Sequence, residues 1–265
     1  MSDHIKSEVV DGVGTILFNR PEALNALSPE LVQGLIDMTH RYEHDPLVRC
    51  VLIRGAGETF MAGGDVKGFY RSLREEREEH LAGFERRIVT GHLAIHRLRR
   101  MQKPVLIAVQ GAAAGFGLSI VAAADLAIAA EDAFFSLAYR HIGLTADGGA
   151  SYFLPRIVGE RRALEIALLG ERFSAQKALE WGLLNWVVPR ASLEEEAWKI
   201  ARKLAEGPTL ALGQAKRLLR TSLEATWDEQ SAREAESVAA MAATQDHLEG
   251  VTAFVEKRKP RFTGR

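Results

Sequence analysis

Cysteine is nearly absent from this chain. Cys50 is the single thiol in 265 residues, so no disulfide can form within it, and its place in the apolar run "RCVLIRG" marks a buried, inert side chain suited to a reducing compartment. An excess of either charge is missing too. Thirty-four basic residues against 35 acidic ones leave a net charge of -1 and a pI near 6.7. That balance supplies no global field for nucleic acid or anionic lipid, so an anionic ligand must be met by local groups. Long hydrophobic runs are also lacking: the longest, residues 112–124, is interrupted by Gly115, Gly117 and Ser119 and stops at Asp125, too short and too broken to span a bilayer. The opening "MSDHIKSEVVDGVGTILFNR" carries charges throughout and has no apolar h-region, so no secretory signal and a cytoplasmic location are expected. With 47% apolar and 26% charged residues and no low-complexity bias, the chain is long enough to bury a sizeable core without disulfide or metal staples.

What is present reads first as strand, helix, strand. "TILFN" follows the turn "DGVG". Ser28-Pro29 then gives a cap followed by proline at the first helical position, opening an amphipathic helix with Leu31, Leu35, Met38 and Tyr42 on one side, and Asp45-Pro46 ends it. "CVLIRG" is a continuously apolar strand of the kind covered on both faces. It runs into the glycine-rich loop "AGETFMAGGD" and a helix from Val66. The same order recurs as "VLIAV", the loop "QGAAAGFG" and the helix "LSIVAAAD", a weakly repeated architectural unit. Residues 70–101 between the copies are charged and helical in pattern. Beyond Asp147, "RRALEIALLG" is a helix stopped by Gly170, Ser174 caps "AQKALEWG", and "LLNWVV" is a strand before Pro189. From Ser192 onward the chain is helical, with breaks at Gly207-Pro208 and near Thr226. The coarse picture is an α/β body followed by a helical C-terminal region.

Two glycine-rich turns between strand and helix invite a nucleotide reading, and both copies fail it. "GAGETF" lacks the third glycine of a dinucleotide fingerprint, and "GAAAGFGLS" lacks the lysine and hydroxyl of a phosphate loop. A third use needs only backbone: N–H groups at the starts of two helices can converge on one oxygen, which is an oxyanion hole. A thioester carbonyl held there has an acidified neighbouring carbon, and one carboxylate can then serve as base or nucleophile. The stretch "LTADGGASY" offers such a group in Asp147, although a carboxylate ahead of two glycines and a helix is equally what an N-cap looks like. His92 and His96 have the i, i+4 spacing of a helical metal pair. No HExxH motif, third ligand or cysteine accompanies them, so no metal is expected and a polar helix face explains the spacing.

Five blocks in order, "FMAGGDVKGF", "KPVLIAVQGAAAGFG", "DGGASYFLPRIVG", "FSAQKALEWGLLNWVVP" and "AFVEKRKPRF", resemble the crotonase, or enoyl-CoA hydratase/isomerase, superfamily over nearly the whole chain. The resemblance implies an α/β fold, a crotonase spiral of β-β-α units over residues 1–190, and a helical trimerisation region over 191–265. It further implies a homotrimer or a dimer of trimers, and an acyl-CoA thioester as substrate with no separate cofactor. By position, the oxyanion donors would be the N–H groups of Gly64 and Phe116. Phenylalanine is a departure there, and its ring must point away or narrow the acyl pocket. CoA contacts would fall on Ala23, Leu24, Ala62, Asp65, Val66 and Lys67 and, from a neighbouring subunit, on Phe254 and Lys257. Asp65 itself fits a helix cap better than chemistry.

The chain departs from the family's hydratases at the two glutamates that handle water: Ser119 and Tyr139 occupy those places. Glu165 lies nearby in sequence but fits an ion pair with Arg161 or Arg162. Asp147, by contrast, falls where the superfamily's ring-epoxide and dienoyl-CoA isomerases carry a catalytic aspartate. The 4-chlorobenzoyl-CoA dehalogenases place their nucleophilic aspartate there too, with a histidine matching His92 as base and a tryptophan matching Tyr139. The expected activity is therefore an isomerisation with Asp147 as acid and base. Aryl-CoA hydrolysis with Asp147 as nucleophile and His92 as base, slow hydration, and non-catalytic acyl-CoA binding are the alternatives.

Overall fold

The computed structural model describes residues 3–265. The Asp11-Gly12 turn joins two antiparallel strands, β1 (Ile5–Val10) and β2 (Val13–Phe18), where the sequence pattern shows only the second. β1 is a largely exposed edge strand, so "IKSEVV" needs no apolar alternation to hold its place. Both turn residues take the left-handed backbone a tight hairpin demands. Along the chain follow α1 (Pro29–His44), β3 (Cys50–Gly55), α2 (Val66–Glu75), α3 (Arg77–Arg100), β4 (Val105–Val109), β5 (Ala112–Ala114), α4 (Phe116–Ala123), β6 (Leu126–Ala130) and β7 (Phe134–Ser136). Then come α5 (Ala150–Val158), α6 (Glu160–Leu169), β8 (Phe173–Ser174), α7 (Ala175–Glu180), β9 (Trp186–Val188), α8 (Leu193–Ala205), α9 (Thr209–Ser222), α10 (Trp227–Ala242) and α11 (Gln245–Val255). Among the described residues no helix is long and apolar enough to cross a membrane.

The main sheet has the order β1-β2-β3-β4-β6-β9, parallel from β2 onward, and a small second sheet joins β5, β7 and β8. Together they make a spiral. The chain passes from β2 through Leu27 to α1, from β3 through Met61 to α2, from β4 through β5 to α4, and from β6 through β7 to α5. Each turn lays one strand in the main sheet and one extended segment in a second layer, before a helix. The two Val-Leu-Ile segments are neighbours in register, Val51 opposite Val105 and Ile53 opposite Ile107. The loop expected for "QGAAAGFG" is corrected here: its Ala112–Ala114 segment is β5, too short and too poor in β-branched residues to announce itself. The charged stretch before Met101 is two helices broken at Glu76.

Both faces of the main sheet are covered, which is why its strands read as continuous apolar runs. Ile16, Phe18, Ile53 and Ile107 face the large core with Leu31, Leu35, Met38 and Tyr42 of α1. Val13, Cys50, Leu52, Leu106 and Ile128 face α8, whose Ala197, Ala201 and Ala205 lie at i, i+4 spacing and let the helix approach closely. Burial pushes the Cys50 thiol up to about 12, so it is inert. The local signals hold where they are chemical. Ser28 accepts from Leu31 N–H, Ser174 from Lys177 N–H, and Gly170 ends α6 in the left-handed conformation. An additional break separates α10 from α11 at Thr244, whose hydroxyl caps α11.

Buried ionic contacts fix the helical region to the body. Lys216 Nζ and Arg220 Nη2 of α9 reach the Asp125 carboxylate at 2.7 and 2.5 Å, and the same carboxylate accepts from Val105 N–H at 2.8 Å. Desolvation holds Lys216 down near 8 despite this partner. Arg49 donates to Thr209 Oγ1, Gly207 O and Phe262 O, tying the C-terminal segment to the start of β3. Removing one side of a buried charge cluster leaves the other uncompensated. Asp125→Asn is therefore expected to lower unfolding free energy by about 3–5 kcal/mol in urea denaturation, whereas loss of the exposed Arg162–Glu165 pair should cost no more than about 0.5 kcal/mol.

Candidate functional site

The site begins with main-chain pairing between two successive turns of the spiral. Met61 N–H donates to Ala112 O at 3.0 Å and Ala114 N–H donates back to Met61 O at 2.9 Å, which lays the first glycine-rich turn directly beside the second. Gly63 and Gly115 meet where the turns cross. Both have positive φ, +96° and +51°, and a Cβ on Gly115 would lie 3.5 Å from Gly63 Cα. It is the backbone conformation that calls for glycine at both places. The next residues are Gly64, just before α2, and Phe116, the first residue of α4. Among the described residues neither N–H has a protein acceptor, as expected for donors at helix starts. The two positions expected to supply oxyanion donors are thus brought together.

Asp147 lies in a loop that touches the second of these turns, a Cβ on Gly148 falling 3.0 Å from the Phe116 ring, and its carboxylate does not cap α5. Gly149 is the N-cap and receives no side-chain bond. The Asp147 main-chain carbonyl accepts from Ala150 N–H at 3.2 Å and from Ser119 Oγ at 2.9 Å, so Ser119 fixes the loop rather than the acid. The carboxylate is left for other work: its Oδ1 accepts a hydrogen bond from the Tyr139 hydroxyl. Tyr139 starts a short 3-10 turn (Tyr139–Ile142) after a left-handed Ala138, and its ring reaches across to Gly115, with Cζ 3.7 Å from where a Cβ would stand. Burial raises the Asp147 pKa above the ordinary carboxylate value; the Tyr139 hydrogen bond and the charge of His92 oppose it. Burial, and then the Asp147 charge, push the Tyr139 hydroxyl up as well. His92, half-buried on α3, is near enough for its charge to act on the acid, while His96, one turn further, is exposed. Among the described residues no three His, Cys, Asp or Glu side chains cluster as metal ligands.

The positions expected to meet CoA divide into two groups. Ala23 and Leu24 end a short 3-10 turn (Pro21–Ala23), and Leu24 O accepts from Ala62 N–H at 3.0 Å, which sets this turn against the first glycine-rich loop. Asp65 caps α2 by accepting from Gly68 N–H at 2.9 Å, and Val66 and Lys67 are exposed on the first turn of that helix. Phe254 and Lys257 form no part of this cluster. They lie exposed at the end of α11, Phe254 at 86%. Sequence reasoning passed over Asn25, fully buried, whose amide donates to Ala56 O and Thr59 O and whose Oδ1 accepts from Arg20 N–H. Its signal is an asparagine after a short turn, taking φ of +54°.

These observations define a class: an α/β spiral presenting two unpartnered main-chain donors beside one desolvated acid. The comparisons give the family. The Enoyl-CoA hydratase/isomerase family matches residues 8–265. The 1,2-epoxyphenylacetyl-CoA isomerase of Escherichia coli K12 is 37% identical over all of both chains. 4-Chlorobenzoyl coenzyme A dehalogenase-2 of an Arthrobacter species is 35% identical over 96% of this chain and 91% of its own. The crystal structure of an enoyl-CoA hydratase from Polaromonas sp. JS666 superposes with a TM-score of 0.91 at 34% identity, covering 97% of this chain and 99% of that one. The chain belongs to the enoyl-CoA hydratase/isomerase family and has the crotonase fold.

A raised carboxyl pKa has a stability consequence of definite sign. Below its unfolded value the acid is protonated in both states. As pH rises through the higher folded value the buried group must ionise, and stability is lost. Asp147→Asn should therefore melt at a higher temperature than the wild type at pH 7 in scanning calorimetry, with the difference vanishing near pH 4.

Proposed function

We propose that the protein is an acyl-CoA isomerase in which Asp147 carries the proton. The carrying observation is the acid itself: half-buried, excluded from helix capping, held by one hydroxyl, and beside two main-chain N–H groups without protein acceptors. Gly64 and Phe116 N–H groups hold the thioester oxygen. Asp147 as carboxylate takes a proton from a carbon conjugated with that carbonyl, and the electron pair moves onto the oxygen as an enolate between the two donors. The carboxylic acid then returns the same proton to a different carbon, so the reaction is balanced as an isomerisation and no water is consumed. Tyr139 leaves Oδ2 of the acid as the working oxygen by occupying Oδ1.

Hydration finds less support, since Ser119 and Tyr139 supply no second carboxylate to orient water and Glu165 is engaged with Arg162 at 2.5 Å. One observation favours a second reading: the charge of His92 acts on Asp147, and a histidine there would be a base for water if the acid attacked an aryl thioester. CoA runs over Ala23, Leu24, Ala62, Asp65, Val66 and Lys67. The exposed apolar side chains of α9–α11, among them Leu219, Trp227, Val251 and Phe254, suit burial between subunits. A trimer, or a dimer of trimers, accounts for them and brings Phe254 and Lys257 to a neighbour's CoA.

Asp147→Asn should lose about 100-fold or more in turnover while its acyl-CoA dissociation constant, read by calorimetry, changes little; undiminished turnover would remove the mechanism. A covalent adduct on Asp147 found by mass spectrometry in His92→Gln would transfer support to the hydrolytic reading. Tyr139→Phe deletes a hydrogen bond that lowers the acid's pKa. The acid limb of its kcat/KM profile should therefore move to higher pH, where a merely structural role would leave the limb in place. Light scattering should give a mass of three or six chains, and a monomer would contradict the assembly.

A further inference from the structure

Phe116 carries two separable features, a backbone N–H at the start of α4 and a ring that is almost wholly buried. The ring leaves the N–H toward α3 and the Asp147 loop. A Cβ on Gly91 of α3 would lie 3.2 Å from Phe116 Cε2, and a Cβ on Gly148, the residue after Asp147, would lie 3.0 Å from Phe116 Cδ2 and Cε2. Gly91 sits in the interior of a 24-residue helix, where glycine is unfavourable to helix stability; the ring explains its presence. The space between α3 and the acid's loop is therefore filled by this ring, one residue from the acid and on the same residue as a donor.

We infer that Phe116 sets the acyl specificity of the site: it closes the path between α3 and the Asp147 loop, so that compact acyl groups are accepted and long-chain acyl groups are refused. This rests on the reading of the site as one for acyl-CoA. An acyl group whose carbonyl oxygen lies at Gly64 and Phe116 and whose reacting carbons face Asp147 has its remaining carbons directed past that acid, and the ring stands there. Exclusion is steric, since extra methylenes have no room in a close-packed wall.

The test reads binding apart from chemistry. Dissociation constants of butyryl-CoA and dodecanoyl-CoA are measured by titration calorimetry in Asp147→Asn, and again after adding Phe116→Ala. The expected result is a preference for butyryl-CoA in the first protein, and a gain of about tenfold or more in relative affinity for dodecanoyl-CoA in the second. Adding Gly91→Leu to Phe116→Ala refills the space from α3 and should return the preference toward butyryl-CoA; Phe116→Leu serves as the smaller change should the alanine variant fail to fold. Equal affinities in the first protein, no change on truncating the ring, or a preference that ignores Gly91→Leu would each overturn the inference while leaving acyl-CoA binding intact. Failure of both thioesters to bind at all would remove the underlying reading, and this inference with it.

Discussion

The pairing of Met61 with Ala112 and Ala114 is the contact on which the site depends. It is made entirely by main chain, between two successive turns of the spiral, and its register follows from the sheet beneath, where Val51–Ile53 lies opposite Val105–Ile107. Once those strands are aligned, the turns that leave them must cross, and Gly63 and Gly115 are the residues that let them touch. The N–H groups of the residues that follow, Gly64 and Phe116, are then positioned by main chain alone. Such donors are preorganised by the whole sheet and need no reorientation when negative charge develops on an oxygen. They are also indifferent to the side chain of the residue that carries them, which is why phenylalanine can stand at 116 without loss of the donor.

The acid opposite them is held at a cost. Burying a carboxylate away from water raises its pKa, and the surrounding groups offset only part of that. Tyr139 donates to it, His92 acts on it through charge, and Ser119 holds the carbonyl of the same residue rather than the carboxylate. Desolvation outweighs these opposing contacts, at the expense of folding stability near neutral pH, and under the proposed mechanism it suits a carboxylate that accepts and returns a proton. The rest of the chain supplies that stability elsewhere, in the doubly covered sheet and in the Asp125 cluster that anchors α9.

Much of this was legible in the residues because the signals were chemical and local. The Ser28-Pro29 start, the Ser174 cap, the Gly170 stop and the Asp65 cap each need only a side chain and its nearest backbone. The continuous apolar strands and the repeated Val-Leu-Ile segment announced a sheet covered on both faces. What escaped depends on pairing across the chain. β1 is exposed and has no alternation to read, and β5 is three alanines made a strand by Phe134–Ser136 on one side and Met61 on the other. Asn25 is a scaffold residue whose partners at Ala56 and Thr59 lie over thirty positions away. Asp147 itself is ambiguous for the same reason: whether its carboxylate caps the next helix is legible only once Gly149 is seen to take the cap position and Tyr139 to reach the carboxylate.

Those distant partners bear on how a site of this kind varies. Its backbone donors are fixed by sheet register, and its acid is fixed by a loop whose carbonyl is held by Ser119. The side chains between them carry no such duty. A change from a small residue to phenylalanine at 116 then alters only volume, provided that the walls yield. Here they yield by lacking side chains, at Gly91 within α3 and at Gly148 after the acid. Gly91 is unfavourable to its own helix, whose interior prefers alanine, whereas Gly148 also answers its own backbone, at φ of +60°, and the Cβ of Ser119, 2.7 Å from where its own would stand. At both positions a Cβ would press on the Phe116 ring. The ring and its two glycines form one packed unit, and a substitution at any one of them is felt by the other two before it is felt by the donors or the acid.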